Sequence, residues 1–224
     1  MDDRTAEDLA TTLPPLLTAL EALGLVARYL DPTDLARVLE AVGEPETPLN
    51  TALEGLSEWP AELADVRASL VTAGQHVLGA FGELRAAQAS GGDMGQVYRA
   101  LRGLPRAQET LYPFAAGLGP VSRYFLEPAA RGDADLIARL VDGADREDVG
   151  VMHVIGEPGA RGAISLYVPE TYSPDRQWPL VVALHGGSGN GRAFLWSWLR
   201  AARSHGAILA APTAIGQTWA ITGL

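Results

Sequence analysis

The residue pattern changes near Asp148, and this change constrains the fold more than any other feature of the 224-residue sequence. Before it, apolar residues recur at the three- and four-residue steps of amphipathic helices. After it come short apolar and β-branched runs separated by glycine and proline, a pattern typical of strands. We therefore expect an α-helical domain over residues 1–147 and a second domain containing a sheet over residues 148–224.

The helical half carries its clearest signal after Pro60, where the apolar spacing predicts one long helix through Leu63, Val66, Leu70, Val77, Phe81 and Leu84. The segment Asp31-Pro32-Thr33-Asp34 predicts a helix start, because it supplies a capping acceptor and a proline at the first helical position. Thr47 before Pro48 predicts a second start of the same kind, and Gly43 predicts a helix end. Together these signals indicate five to seven helices.

The second half reads as strands joined by turns and one helix. Residues 149–155 and 163–168 flank a glycine-rich turn and predict an antiparallel hairpin. The run at 180–184 is apolar without alternation, which predicts a strand buried on both faces. A helix from position 194 to about 204 then leads to a second such strand at 207–211, and this order predicts a parallel pair in an α/β sheet.

The composition excludes several classes of protein. Hydrophobic residues make up 47% and charged residues 20% of the chain, as in a globular protein. The net charge of −10 predicts no nucleic-acid partner, since nucleic-acid binding depends on neutralising phosphates. No uninterrupted apolar run reaches the ~20 residues of a membrane span, so none is expected. Cysteine is absent, which suits a reducing compartment, and we expect a cytoplasmic protein.

The glycine-rich loop at residues 185–191 follows the first apolar strand directly, and glycines there let backbone N–H groups approach a ligand. A nucleotide phosphate loop is disfavoured, because Arg192 and Ala193 stand where it needs lysine and a hydroxyl, and a dinucleotide fingerprint needs glycine at position 192. Ser188 as a nucleophile is disfavoured too. Asn190 occupies a position that the nucleophile elbow keeps small, and no aspartate or glutamate follows Ser188 to complete the triad. The favoured interpretation is an oxyanion loop, whose N–H groups stabilise a tetrahedral oxyanion.

This interpretation is supported by a resemblance to a known family. Residues 148–224 resemble the opening of the esterase domain in bacterial phospholipase/carboxylesterase and polyhydroxybutyrate-depolymerase-like hydrolases, which belong to the α/β-hydrolase superfamily. The matching segments are Tyr167-Val168-Pro169, the run from Trp178 to Gly187, and the run from Ile208 to Pro212 with Trp219 after it.

The resemblance implies an α/β-hydrolase domain that hydrolyses carboxylic esters of small molecules through a serine acyl-enzyme, without a metal or an organic cofactor. Gly187 would donate its backbone N–H to the oxyanion, with Ser188 as the alternative donor. His185, Gly186 and Trp219 would have structural roles around the site. The family's nucleophile, acid and base would lie beyond Leu224, so the domain is expected to be incomplete and residues 1–224 alone inactive.

Two further expectations concern association and the alternative function. If the resemblance holds, the strand at 180–184 pairs with the strand at 207–211 on one side and has a free edge on the other, which predicts self-association of this chain. The competing hypothesis is a non-catalytic helical interaction module with a vestigial α/β tail. A serine elbow, an acid and a histidine encoded after position 224 would favour the esterase.

Overall fold

A computed structural model describes residues 2–30, 34–91 and 93–220. It shows a mostly helical chain that ends in a small four-stranded mixed sheet. This confirms the expected order of a helical region followed by a small sheet. The chain divides into two compact units, Met1–Pro113 and Phe114–Leu224.

The first unit is built from α-helices. Its described residues form α1 (Asp3–Arg28), α2 (Leu35–Val42), α3 (Glu46–Glu54), α4 (Ala64–Ala89), α5 (Met94–Ala100) and α6 (Gly103–Leu111). Helix α4 is the long helix that the apolar spacing predicts, and it packs against α1, α3, α5 and α6. Its buried side chains include Leu70, Val77, Phe81 and Leu84, which are all fully inaccessible.

Two predicted helix ends in this unit can be compared with the structure. Gly43 ends α2 as predicted, with a φ of 68° that suits glycine. The start predicted at Thr47 is wrong, because α3 already begins at Glu46 and has no side-chain cap. The predicted start at residues 31–33 lies outside the described residues, and α2 begins beyond it with Asp34 as its capping residue.

Helix α1 bears on the expectation that the chain has no membrane span. It has 26 residues and a mean hydropathy of 1.5, so by length and composition alone it could cross a membrane. The sequence predicts no span here, because no uninterrupted apolar run reaches the ~20 residues of a membrane helix. Half of the apolar window is buried within the structure, with Leu16, Leu20 and Leu23 fully inaccessible. A core helix passes the same test of length and composition, so α1 is weak evidence for a span.

The described part of the second unit combines three α-helices with the sheet. It contains α7 (Gly119–Tyr124), α8 (Ala134–Asp142), β1 (Gly150–Ile155), β2 (Ile164–Val168), β3 (Leu180–Val182), α9 (Gly191–His205) and β4 (Ile208–Pro212). The described part of the chain therefore has eight α-helices before β1, more than the five to seven expected.

The strands lie in the order β1-β2-β4-β3. Strand β2 pairs antiparallel with both β1 and β4, and β3 pairs parallel with β4. The predicted hairpin and the predicted parallel pair are both confirmed. Helix α9 connects β3 to β4 and packs on β2 and β4.

The second unit begins earlier than the change of residue pattern. The expected boundary at 147 and 148 falls where helices give way to strands, whereas the compact units divide at Pro113 and Phe114. A buried polar network accounts for the difference, because it ties α7 to the sheet. Arg203 of α9 is 1% exposed, pairs with Glu170 at 2.9 Å and donates to the Ser122 carbonyl oxygen at 2.9 Å. The Tyr167 hydroxyl donates to the other oxygen of Glu170 at 2.7 Å.

Strand β3 is not buried on both faces, so that prediction is wrong. Leu180 and Val182 are 62% and 55% exposed, and Leu184 just after the strand is 53% exposed. Ala183, which points the other way, is buried. Strand β3 has a hydrogen-bonded neighbour on one edge only among the described strands, and α9 packs on the two strands beyond it.

Candidate functional site

The loop between β3 and α9 makes a tight turn over residues 186–189. The Gly189 N–H donates to the Gly186 carbonyl oxygen at 3.1 Å. Ser188 has a φ of 60° and is the one non-glycine residue with positive φ in the described chain. That conformation costs free energy for a residue with a side chain, and such residues cluster at functional sites.

His185 is buried under this turn and holds it through both ring nitrogens. Its Nε2 lies 3.0 Å from the Ala214 backbone nitrogen, and its Nδ1 lies 2.6 Å from the Gly186 carbonyl oxygen. Because the Ala214 N–H can only donate, Nε2 accepts and the proton sits on Nδ1, which donates to Gly186. Both nitrogens are thus committed to backbone groups, so His185 braces the loop and has no free nitrogen for proton transfer.

The chain after β4 clamps the loop from the other side. The Trp219 indole N–H donates to the His185 carbonyl oxygen at 2.8 Å, and the two rings lie 5.1 Å apart. The Ser188 N–H donates to the Gln217 carbonyl oxygen at 2.9 Å. The structure thus brings His185 and Ser188, which follow β3, together with Trp219, which follows β4.

Gly191 fixes the start of α9 against β4. A Cβ atom at this position would lie 2.0 Å from the Ala211 carbonyl oxygen, so only glycine fits. Its N–H donates to Oγ1 of buried Thr213 at 2.9 Å, and the Asn190 side chain caps the helix by accepting from the Ala193 N–H at 2.9 Å. These contacts place the positive end of the α9 dipole beside the loop.

The N–H groups of Gly186 and Gly187 indicate what the turn could bind. In the described part of the chain, the Gly186 and Gly187 N–H groups have no hydrogen-bond acceptor. Both residues are exposed, and a Cβ atom at either would meet nothing within 4 Å. An exposed, unpaired N–H on a braced turn can donate to an oxygen of a bound molecule.

The two proposed oxyanion donors therefore differ. The Gly187 N–H has no acceptor among the described residues, whereas the Ser188 N–H donates to Gln217. The Ser188 hydroxyl has no hydrogen bond to a histidine or a carboxylate among the residues described. His205, the one histidine that follows Ser188 in the sequence, pairs instead with Glu127 at 3.0 Å.

Sequence reasoning missed Thr213, Ala214 and Gln217, which anchor the loop through one side chain and two backbone groups. Thr213 could have been suspected, because a hydroxyl residue directly after a buried strand often bonds to a neighbouring turn. Ala214 and Gln217 act through backbone groups, which every residue type has, so the sequence gives no sign of their roles. The predicted structural role of Gly186 is seen in its carbonyl, which accepts from both Gly189 and His185.

The described residues contain no group of three histidines or acids close enough to hold a metal ion. Comparison with known proteins adds no relative, since no family model, no curated protein and no solved structure matches this chain.

Proposed function

We propose that the unit Phe114–Leu224 is the front part of an α/β-hydrolase domain of a serine esterase, and that its loop stabilises the oxyanion formed from a carboxylic ester. The observation that carries the proposal is the free and exposed N–H of Gly187 on a braced turn. Esterases of this class form one part of the oxyanion hole from the loop that follows the third strand, which is the position of this turn.

The sheet topology supports the same proposal. In α/β-hydrolases the strand that carries the oxyanion loop lies between the following strand and the later nucleophile strand. Here β3 has β4 on one side, and its other edge is free within the described residues. The nucleophile strand would pair with that free edge and cover part of the exposed apolar face of Leu180 and Val182.

In the proposed reaction a serine oxygen attacks the ester carbonyl carbon, and the carbonyl oxygen takes up the negative charge. The Gly187 N–H donates to this oxyanion, and the α9 dipole favours the same charge. Collapse of the tetrahedral species expels the alcohol, and water then releases the acid from the acyl-enzyme. No acid follows Asp175 in the sequence, so the proposal requires the nucleophile, acid and base to come from outside residues 1–224.

The rigidity of the turn is part of this proposal. An oxyanion donor is effective because it is already oriented before charge develops. His185, Trp219 and Gln217 supply that orientation through their bonds to the turn. A substitution of His185 that leaves the fold intact should therefore lower kcat more than it raises KM.

The first test is to read the coding DNA past Leu224 and to express the chain with whatever follows. A small-x-Ser-x-small elbow, then an acid and a histidine, should accompany fluorophosphonate labelling of the elbow serine, while residues 1–224 alone should stay unlabelled. A stop codon without such a continuation would contradict the esterase and favour the helical interaction module. Labelling of Ser188 that disappears in Ser188→Ala would contradict the oxyanion role of the loop.

The decisive test compares Gly187→Pro with Gly187→Ala in the extended chain. Proline removes the N–H, whereas alanine keeps it and fits, since its Cβ would meet no atom within 4 Å. We expect Gly187→Pro to lower kcat for a p-nitrophenyl ester about 10²- to 10³-fold, and Gly187→Ala to stay near wild type. Equal activity of the two variants, with equal melting temperatures, would show that this N–H does not act on the oxyanion.

A further inference from the structure

A second candidate site lies in the first unit, Met1–Pro113, which we call the helical unit. It is far along the chain from the loop at residues 185–191. Helices α4, α5 and α6 border an open cavity at the protein surface, of about 460 Å³, lined by Glu83, Gln96, Arg99, Arg102 and Arg106. The three arginines and Glu83 are exposed. This volume lies within the range of small-molecule sites in proteins, about 300–1,000 Å³. We call these five residues the arginine cavity.

Local geometry explains why the arginines meet there. Arg99, Arg102 and Arg106 are spaced by three and four residues, the steps that bring side chains to one face of a helical segment. Gly103 lets this segment approach α4 closely, because a Cβ atom there would lie 2.6 Å from the His76 carbonyl oxygen. The glycine thus lets α6 pack closely on α4, and the three arginines line one cavity together with Glu83 of α4.

The positive charge of the cavity is only partly neutralised by the protein. Within the described chain, Arg102 and Arg106 form no ion pair, and the carboxylate nearest to Arg99, that of Asp93, is 3.8 Å away. Asp93 also caps α5 by accepting the Gly95 N–H at 2.9 Å. Residues 1–113 hold 17 acids and eight arginines, so acids to neutralise this cluster are plentiful in the unit. Glu83 is nevertheless the one acid that lines the cavity.

The pKa of a neighbouring histidine responds to one of these arginines. The pKa of His76 is lowered from its ordinary value, first by burial and then by the positive charge of Arg106. The direction of this shift agrees with the positive charge that the three arginines bring to the cavity.

We propose that the arginine cavity binds a phosphate monoester dianion. Among the described residues Arg99 pairs with Asp93, so Arg102 and Arg106 bring the two positive charges that face a dianion, opposed only by the Glu83 carboxylate of the lining. Each guanidinium presents a planar fork of N–H donors that fits phosphate oxygens, and a tetrahedral group can accept from several forks at once, unlike a planar carboxylate. Gln96 and Glu83 are then available to hydrogen-bond with hydroxyl groups of the organic part.

The proposal is tested on residues 1–224 by titrating inorganic phosphate at pH 8, where the dianion dominates because its second pKa is about 6. Binding is followed by calorimetry and by amide chemical shifts, with chloride at matched ionic strength as the reference. We expect Arg102→Gln to weaken binding by about tenfold or more, since a charge-assisted hydrogen bond contributes at least that much. Arg28→Gln, which removes an exposed arginine outside the cavity, should leave binding unchanged.

A gain-of-binding variant removes misfolding as an explanation. Glu83→Gln takes away the one negative charge of the cavity lining and should strengthen phosphate binding several-fold. Equal affinities of Arg102→Gln and Arg28→Gln, or binding no tighter than that of chloride, would overturn the proposal.

Vesicles containing phosphatidic acid then distinguish the source of the phosphate. Co-sedimentation that is lost in Arg102→Gln assigns a lipid headgroup. Phosphate binding without co-sedimentation assigns a soluble phosphate ester, which is the outcome we expect, because the net charge of −10 repels an anionic bilayer.

Discussion

Helix α4 and strand β3 place apolar side chains in opposite surroundings. Leu70 and Leu84 of α4 are fully inaccessible, whereas Leu180 and Val182 of β3 are 62% and 55% exposed. Helix α4 is packed by α1, α3, α5 and α6, while β3 has one hydrogen-bonded neighbour among the described strands. The difference teaches that an apolar run is buried only where the chain supplies partners for each of its faces.

We call the second unit, Phe114–Leu224, the sheet unit. Because the outward face of β3 is exposed, other contacts must stabilise this unit, and the buried Arg203–Glu170 pair is the strongest candidate. Arg203→Met removes the guanidinium that pairs at 2.9 Å with Glu170, which is 5% exposed. We expect the free energy of unfolding of this unit to fall by about 3–5 kcal/mol, because removing one partner of a buried ion pair is costly. Urea unfolding followed by tryptophan fluorescence measures it, since Trp196 packs near Phe125 within this unit.

The matched control for that variant replaces both partners. Arg203→Met combined with Glu170→Leu removes both charges and should recover much of the lost stability. A single variant that costs less than the double variant would contradict the role given to the pair.

A leucine-to-alanine substitution in α4 and another in β3 test directly whether burial differs between the two elements. Leu84→Ala should lower the free energy of unfolding of the helical unit by about 2–5 kcal/mol, since it opens a cavity in a packed core. Leu180→Ala removes the same atoms from an exposed position and should change stability by no more than about 0.5 kcal/mol. Circular dichroism at 222 nm during urea unfolding measures both. Similar losses in the two variants would show that β3 is covered in solution.

Much of the fold was predictable because it depends on local patterns. The spacing of apolar residues located α4, and glycine-bounded β-branched runs located the hairpin and the parallel pair. The exposure of Leu180 was not predictable in this way, because a continuous apolar run says nothing about which neighbours are present. The arrangement of α7 with the sheet was missed for a related reason, since Ser122 and Arg203 are far apart in the sequence and carry no mutual signal.

The candidate site shows the same limit. The position of the loop and the availability of Gly187 follow from a glycine-rich segment after an apolar strand. The engagement of the Ser188 N–H by Gln217 depends on the path of the chain after β4. Backbone acceptors of that kind are not encoded by residue type, so the sequence could not choose between Gly187 and Ser188 as the oxyanion donor. In the described structure the Ser188 N–H already has an acceptor and the Gly187 N–H has none.

The exposed face of β3 should also show itself in association. Wild-type residues 1–224 are expected to self-associate through this strand, and Val182→Lys should shift the population toward monomer, because a charge on an edge strand opposes pairing. Val141→Lys makes the same change on α8, where Val141 is 40% exposed, and should not alter association. Sedimentation velocity measures all three. A clean wild-type monomer at tens of micromolar would contradict this prediction and the free edge on which it rests.

The smallest expected effect is a difference in acid sensitivity between the two units. Asp8 accepts hydrogen bonds from the Ser57 hydroxyl, the Ser57 N–H and the Trp59 indole N–H. The pKa of Asp8 is lowered from its ordinary value, mainly by the Ser57 side-chain hydrogen bond and then by that of Trp59. A carboxyl with a lowered folded-state pKa stabilises the fold at pH values above its ordinary pKa, and this contribution is lost as the pH falls through the lowered value.

Asp8→Asn should therefore weaken the helical unit at pH 6, and its difference from wild type should shrink as the pH falls through the lowered pKa of Asp8. Asp148 provides the matched control in the sheet unit, because the Arg146 side chain lowers its pKa in the same direction. Asp148→Asn should leave the acid sensitivity of the helical unit unchanged. Urea unfolding between pH 6 and pH 2 is followed by circular dichroism, to which the helical unit contributes most, and by tryptophan fluorescence, to which the sheet unit contributes four of the five tryptophans. If Asp8→Asn and wild type lose helical stability in parallel over this range, the Asp8 hydrogen bonds do not contribute, and α1 is held to the segment around Ser57 by apolar contacts alone.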